Sequence, residues 1–175
     1  MLEAEIWGIA ETGDGYMIFI KPLESEYSVP IFIGQLEAQA ILIGFGGVSI
    51  SRPLTVDLLH SILKEAKYEL IRIEINDIKD NTFFSSLVLK KSGGDEFIVD
   101  SRPSDALALA VRCKSPIFIA EKVVERVGIL TNELSAGKEG AANGFLLQEE
   151  LEEAIEAENY ERAAEIRDML KLLEK

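Results

Sequence analysis

The chain has very few of the side chains on which common metal and thiol sites depend. Its 175 residues include one cysteine, Cys113, and one histidine, His60. A single cysteine excludes an internal disulfide, and so few sulfur and imidazole ligands exclude the Cys/His zinc sites. We interpret Cys113 as a plain thiol at the end of a buried helix rather than a reactive one. His60 is interpreted as a surface or half-buried structural residue.

The chain also lacks an excess of basic charge. It carries 18 Lys and Arg against 31 Asp and Glu, so its formal net charge is −13. An acidic surface repels phosphate backbones, and the broad basic footprint of a general nucleic-acid binder is absent. Any chemistry on nucleic acid must therefore use a local site, and we expect a divalent cation to help it.

Long apolar segments are missing as well. The longest nearly uncharged apolar run, residues 38–50, is too short to span a bilayer. The first residues follow a strand-like alternation rather than the basic and apolar regions of a signal peptide. We therefore expect a cytoplasmic protein with no membrane partner.

Short strands and turns fill the first part of the chain. The predicted elements are strands at 3–10, 16–20 and 28–33 and a helix at 36–45 that stops at Gly46-Gly47. An Asp-Gly pair at 14–15 indicates a hairpin turn between the first two strands.

The same plan recurs further along the chain. Strands are predicted at 70–76, 83–90 and 96–99, with a turn at 79–81, before a helix that begins at Pro103. At an offset of 67 residues Ile6 falls on Ile73, and at an offset of 68 Glu37 falls on Asp105. The spacing indicates an internal duplication, although regular alternation of strands and helices can imitate a repeat.

Three further elements complete the predicted domain. The periodicity predicts a helix over 54–66 and places four of its apolar residues on a buried face: Leu58, Leu59, Ile62 and Leu63. A last strand at 116–120 and a short helix at 121–127 follow. The predicted fold class is α+β, with duplicated strand-rich units, buried helices and a C-terminal two-helix hairpin.

The end of the chain has a different composition. Residues 131–144 are rich in Gly, Ala, Ser and Asn and are predicted to form a flexible linker between a domain at 1–130 and a hairpin at 145–175. An apolar stripe in the hairpin marks the predicted partner-binding residues: Tyr160, Ala163, Ile166 and Leu170. Two short helices cannot fully bury such stripes against each other, so the hairpin should dimerise or dock on a partner. Packing on its own domain is the alternative.

A charged corner joins the strand at 96–99 to the helix that follows. It contains Asp100, Arg102 and Asp105, with Pro103 in the first helical turn. The helix is apolar on every side, so it should be buried and should hold these charges against a rigid core.

Several short blocks spread over residues 1–130 form a family pattern. In chain order they are Pro30-Ile31-Phe32-Ile33-Gly34, Glu37-Ala38, Arg52-Pro53-Leu54-Thr55, Asp57-Leu58-Leu59, Phe83-Phe84, Asp100-Ser101-Arg102-Pro103-Ser104-Asp105-Ala106 and Pro116-Ile117-Phe118. In these blocks and their order the chain resembles the bifunctional nuclease domain family. One position departs from that pattern, because Val56 stands where the family often has histidine.

The resemblance implies hydrolysis of DNA or RNA phosphodiesters assisted by Mg²⁺ or Mn²⁺, without an organic cofactor. The candidate catalytic residues are Asp100, Asp105, Asp57, Arg102 and Arg52, the two arginines clamping phosphate oxygens. The candidate metal ligands are Asp100, Asp105, Asp57 and Glu37. A mechanism that relied on the histidine replaced by Val56 would not operate here.

Other interpretations of these residues remain open. Acids at helix starts are usually caps, and an arginine beside an aspartate is usually an ion pair. The first domain would then be a non-catalytic oligomeric scaffold, or a sensor of a small anionic ligand. The nuclease hypothesis needs Asp57, Asp100 and Asp105 within reach of one metal, and carboxylates that point apart, each tied to its own arginine, argue against it.

The last segment resembles a second family. The run from Glu158 to Asp168 is similar to the UVR motif, the helical hairpin of the excinuclease B and C subunits and of some Clp-protease regulators. Hairpins of that family mediate protein contacts. The resemblance implies a protein partner or self-association through residues 145–175, and we expect a homo-oligomer.

Overall fold

One mixed sheet carries the folded part of the chain. In this computed structural model residues 1–12, 15–48, 50–131 and 167 are described, and their strands lie in the order β6-β5-β4-β7-β1-β2-β3-β8. The strands are β1 Leu2–Thr12, β2 Gly15–Pro22, β3 Tyr27–Ile33, β4 Tyr68–Lys79, β5 Thr82–Lys91, β6 Glu96–Ser101, β7 Ile117–Ile119 and β8 Ile129–Leu130. The strand pattern predicted from alternation is confirmed, except that β8 was not predicted.

Two units of three strands and a helix make up most of this sheet. In each unit the three strands are antiparallel neighbours, β1-β2-β3 and β4-β5-β6, and a helix follows the third strand. Strand β7 joins the units, antiparallel to β1 and parallel to β4. The two units therefore share the order of elements that the sequence offset of 67 to 68 residues predicts.

Local turn chemistry closes the hairpins. Thr12 pairs with Gly15 at the end of the first hairpin. In the second, Asp80 and Asn81 both have positive φ, +48° and +59°, and Lys79 pairs with Thr82. Two consecutive left-handed residues are the geometry of a type I′ turn, which matches the twist of the strands.

Helices α1 (Gln35–Gly46) and α3 (Pro103–Cys113) lie side by side over one face of the sheet. Helix α3 is buried along most of its length, as its uniformly apolar sequence predicts. The largest fully buried side chains are Ile18, Ile20, Ile41, Ile73, Ile75, Leu107, Leu109, Ile119, Val29, Val88 and Val123. Cys113 ends α3 against this core, and burial raises the pKa of its thiol, which favours the plain thiol interpretation.

Helix α2 (Thr55–Glu65) departs from its predicted orientation. Leu58, Leu59 and Ile62 are 55%, 41% and 53% exposed, so the prediction that they are buried is wrong. The helix instead turns Val56 and Leu63 towards the core. Periodicity identifies residues that share a helix face, but it does not tell which face the rest of the fold covers.

The remaining elements are short. Helix α4 (Glu121–Val127) buries Val123 and leads into β8, which adds to β3. No helix among the described residues is long and apolar enough to cross a membrane. Apart from Thr131 and Arg167, the predicted linker and hairpin lie outside the described residues, and so do Tyr160, Ala163, Ile166 and Leu170.

Candidate functional site

An exposed cluster lies where α1 and α3 begin. Arg102 precedes α3, and its Nε and Nη2 donate to the two carboxylate oxygens of Asp105 at 2.8 and 3.1 Å. Its Nη1 donates to Oε1 of Glu37, in the first turn of α1, at 3.0 Å. One guanidinium thus joins the equivalent acidic positions of the two units. We call these three residues the corner cluster.

The helix arrangement explains why the cluster forms. Glu37 at the start of α1 faces the start of α3, and Gly44 near the end of α1 lies against Val111 and Arg112 at the end of α3. The two helices therefore run in the same direction. A Cβ added at Gly44 would come within 2.6 Å of Val111 and 2.7 Å of Arg112, so glycine permits this close approach.

The contacts of the corner cluster keep Arg102 charged. Hydrogen bonds to Asp105, with a further contribution from Glu37, raise the pKa of Arg102 above its ordinary value. The Arg102 side chain is 66% exposed, against 55% for Asp105 and 27% for Glu37. A permanently charged guanidinium therefore faces solvent while two carboxylates hold it in place.

A second arginine–carboxylate pair lies at the other end of α3. Arg112 donates from Nε to Asp57 and from Nη1 to the carbonyl oxygens of Ala40 and Ala108, at 2.7 and 2.9 Å. Its side chain is only 6% exposed, and that of Asp57 is 28% exposed. The other Asp57 oxygen accepts the Leu54 N–H at 2.8 Å, which caps α2. We call Asp57 and Arg112 the buried pair.

Two opposing effects act on the ionisation of Asp57. Burial alone would raise its pKa, but hydrogen bonds from Arg112 and from the Leu54 N–H outweigh burial. The pKa of Asp57 is therefore below its ordinary value, and the carboxylate is negative at neutral pH.

The other two candidates lie apart from both clusters. Val99 of β6 pairs with the core residue Leu87, so Asp100, one residue along the strand, faces the opposite side of the sheet, beside Ser86. Arg52 is exposed in the segment that precedes α2. Neither residue joins Glu37, Arg102 and Asp105.

The predicted metal ligands do not fit a shared ion in this arrangement. Among the described residues, no three Asp, Glu, His or Cys side chains are grouped so that they could hold a metal. Arg102 already occupies Glu37 and Asp105, and Arg112 occupies Asp57. Asp105 and Arg112 are also separated by roughly 10 Å along α3 at 1.5 Å per residue. The divalent cation therefore stays a prediction, and no step proposed below depends on it.

Sequence reasoning missed Arg112. The signal was present, because Arg112 is the one charged residue in the run from Ala106 to Cys113 of a buried helix. A charge on such a helix requires a partner. Its partner is 55 residues away in the chain, and only the fold brings the two together.

Residues 18–132 match the family described as "Bifunctional nuclease domain". The chain belongs to the bifunctional nuclease domain family. The match begins at β2, but β1 lies inside the same sheet, between β7 and β2. Residues 146–175 match a second description, "UvrB/uvrC motif", in the segment that resembles the UVR hairpin.

Named relatives of this bifunctional nuclease domain protein include a bacterial and two plant proteins. It is 32% identical over 114 residues to an uncharacterized protein of Mycobacterium tuberculosis, covering 65% of this chain and 67% of that protein. Bifunctional nuclease 1 of Arabidopsis thaliana is 27% identical over 165 residues, covering 81% of this chain and 51% of that protein. Bifunctional nuclease 2 of Oryza sativa subsp. japonica is 29% identical over 129 residues, covering 71% of this chain and 40% of that protein. The chain thus spans about half or less of these two plant relatives.

Proposed function

We propose that this protein is a nuclease that hydrolyses phosphodiester bonds of DNA or RNA at the corner cluster. The observation that carries the proposal is the state of Arg102, which is 66% exposed although two carboxylates from two helices fix its orientation. Membership of the bifunctional nuclease domain family and the names of its plant relatives support the reaction class. The net charge of −13 favours such a local site over a broad binding surface.

The chemistry requires one group that binds the phosphate and one that accepts a proton. Arg102 uses one N–H of each Nη atom for its two carboxylates, so a second N–H on each remains for a phosphate oxygen. This bidentate contact would orient the phosphate and stabilise the charge that develops on it in the transition state.

Of the two carboxylates, Glu37 is better placed to accept the proton of the attacking water. Asp105 commits both of its oxygens to Arg102, whereas Glu37 commits only Oε1. The free Oε2 of Glu37 would accept a proton from the water that attacks phosphorus, while the P–O bond to the leaving sugar oxygen breaks and that oxygen takes a proton from solvent. Asp105 is then a positioning residue for Arg102, and the proposal does not use Asp57, Asp100 or Arg52.

The test is cleavage of labelled single-stranded DNA and RNA by purified full-length variants, with Mg²⁺, Mn²⁺ or EDTA. We expect Arg102→Met and Glu37→Gln each to lower the cleavage rate on the order of 100-fold. Arg72→Met is the matched control, because Arg72 pairs with Glu74 and Glu96 on the opposite face of the sheet. Loss of cleavage in EDTA would support the predicted divalent cation.

Two outcomes would overturn this assignment. Equal cleavage by all variants would place the activity outside the corner cluster. No cleavage by the wild-type chain with either metal or in EDTA would favour a second function, a non-catalytic interaction protein. One observation supports that second function: Asp57 and Asp105 point apart, and each is tied to its own arginine.

We also propose that residues 145–175 recruit the cytoplasmic protein to a partner, through Tyr160, Ala163, Ile166 and Leu170. The match to the UVR motif and the apolar stripe in the sequence support this role. Binding of the full chain to purified excinuclease B subunit, measured by biolayer interferometry, tests one candidate partner. Ile166→Asp should weaken that binding at least tenfold, and unchanged binding would contradict the assigned stripe.

A further inference from the structure

Among the described residues, strand β6 is an edge of the sheet with no strand on its outer side. Its three central residues Phe97, Ile98 and Val99 are 40%, 67% and 39% exposed. Edge strands in stable monomers are usually shortened, bulged or interrupted by proline or lysine. Strand β6 has six residues, pairs with β5 without a register shift and contains neither proline nor lysine. The opposite edge, β8, has only two residues.

The apolar side chains of β6 lie on both faces of the strand. Phe97 pairs with the core residue Leu89, so it faces the helical layer, and Ile98 faces the other side. A covering helix could shield only one of these faces. It would also leave the outer backbone N–H and C=O groups of β6 without partners. Another strand would cover both faces and pair that backbone.

A second exposed apolar surface lies on α2. Leu58, Leu59 and Ile62 form one face of α2, with a spacing of three and four residues. Helix α2 ends shortly before Tyr68, whose ring packs edge-on against Phe97 at 5.4 Å. The C-terminal end of α2 therefore lies towards the end of the sheet where β6 begins.

We propose that β6 pairs antiparallel with β6 of a second copy of this chain, so that two sheets join into one. A two-fold axis at Ile98 places the two Ile98 side chains together on one face and Phe97 opposite Val99 of the second copy on the other. The strand is self-complementary in this register, as an isologous interface requires.

The charges around β6 permit this register. Glu96 would face Asp100 of the second copy, a pairing that is unfavourable for two isolated acids. Glu96, however, already accepts a hydrogen bond from Arg72 on β4 at 3.4 Å, on the same sheet face as Asp100. The guanidinium therefore lies where it would reduce the repulsion between the two acids.

The test is the mass of the full chain in solution, measured by light scattering and sedimentation at several concentrations. We expect the mass of two 19.4-kDa chains, and a single-chain mass for Ile98→Lys. Leu36→Lys is the matched control, because Leu36 is 77% exposed on α1 and should not change the mass. Circular dichroism confirms that each variant is folded. A wild-type monomer at all concentrations would overturn the proposal.

Two further variants separate this interface from self-association through residues 145–175. In a Cys113→Ser background, Ile98→Cys should form a disulfide-linked dimer on mild oxidation and Leu36→Cys should not. The double variant Ile166→Asp, Leu170→Asp should remain dimeric. A dimer that this double variant abolishes and Ile98→Lys does not would overturn the proposed surface. The inference does not depend on nuclease activity.

Discussion

The corner cluster and the buried pair use the same chemistry in different surroundings. Arg102 and Arg112 lie at opposite ends of α3, and Arg102 is held by two carboxylates and Arg112 by one. The Arg102 side chain is 66% exposed, whereas that of Arg112 is 6% exposed and also donates to two backbone carbonyls. Exposed ion pairs contribute little to stability, and a buried charge is costly when its partner is lost. The comparison therefore assigns the buried pair to folding and leaves the corner cluster available for function.

The largest expected effect comes from breaking the buried pair. Arg112→Met keeps most of the side-chain volume but leaves Asp57 without its guanidinium partner and removes the hydrogen bond to Ala40. We expect the free energy of unfolding to fall by about 3–5 kcal/mol, measured by urea denaturation. A loss below about 1 kcal/mol would contradict the comparison, because the buried pair would then contribute no more to stability than an exposed ion pair does.

The buried pair also predicts a pH dependence. The pKa of Asp57 is lowered in the folded state, so its contribution is complete above the ordinary value of 3.8 and is lost as pH falls through the folded pKa. Asp77 acts in the same direction, because hydrogen bonds from Lys122 and Lys79 lower its pKa to about 2. We therefore expect wild-type stability to decline as the pH falls from about 4 towards 2.

Substitution of Asp57 measures how much of the acid-induced loss of stability is due to this residue. Asp57→Asn should lower stability at pH 7 by about 1.5–3 kcal/mol, because Arg112 loses its charged partner and one of the two acceptor oxygens becomes an NH2 group that cannot accept a hydrogen bond. Its stability should then fall less steeply below pH 4 than that of the wild type. Asp95→Asn, at an exposed position just before β6, is the control. An acid decline in Asp57→Asn as steep as in the wild type would contradict the lowered pKa.

The sequence predicted those parts of the molecule that depend on neighbouring residues. Alternation located the strands β1 to β7, and the signals at Gly46-Gly47 and Pro103 marked the end of α1 and the start of α3. In the sequence, Glu37 aligns with Asp105 at an offset of 68 residues, which predicted that both residues lie at equivalent helix starts. The corner cluster joins both residues through Arg102.

The failures concern orientation and distant partners. The apolar stripe of α2 was identified, but Leu58, Leu59 and Ile62 are exposed, since the contact between Asp57 and Arg112 holds the opposite face of the helix inward. Asp100 was grouped with Asp105 because they are close in sequence. The strand alternation sends Asp100 to the other face of the sheet before the chain turns into α3.

The smallest expected effect on stability comes from the corner cluster. Arg102→Met removes two exposed ion pairs, and we expect the free energy of unfolding to change by less than about 1 kcal/mol in urea denaturation. The same variant should lose nuclease activity if the proposed function holds, so stability and activity would respond in opposite ways at the two ends of α3. A loss of stability as large as that of Arg112→Met would mean that both clusters hold the fold together. Arg102 would then have no advantage over Arg112 as a functional residue.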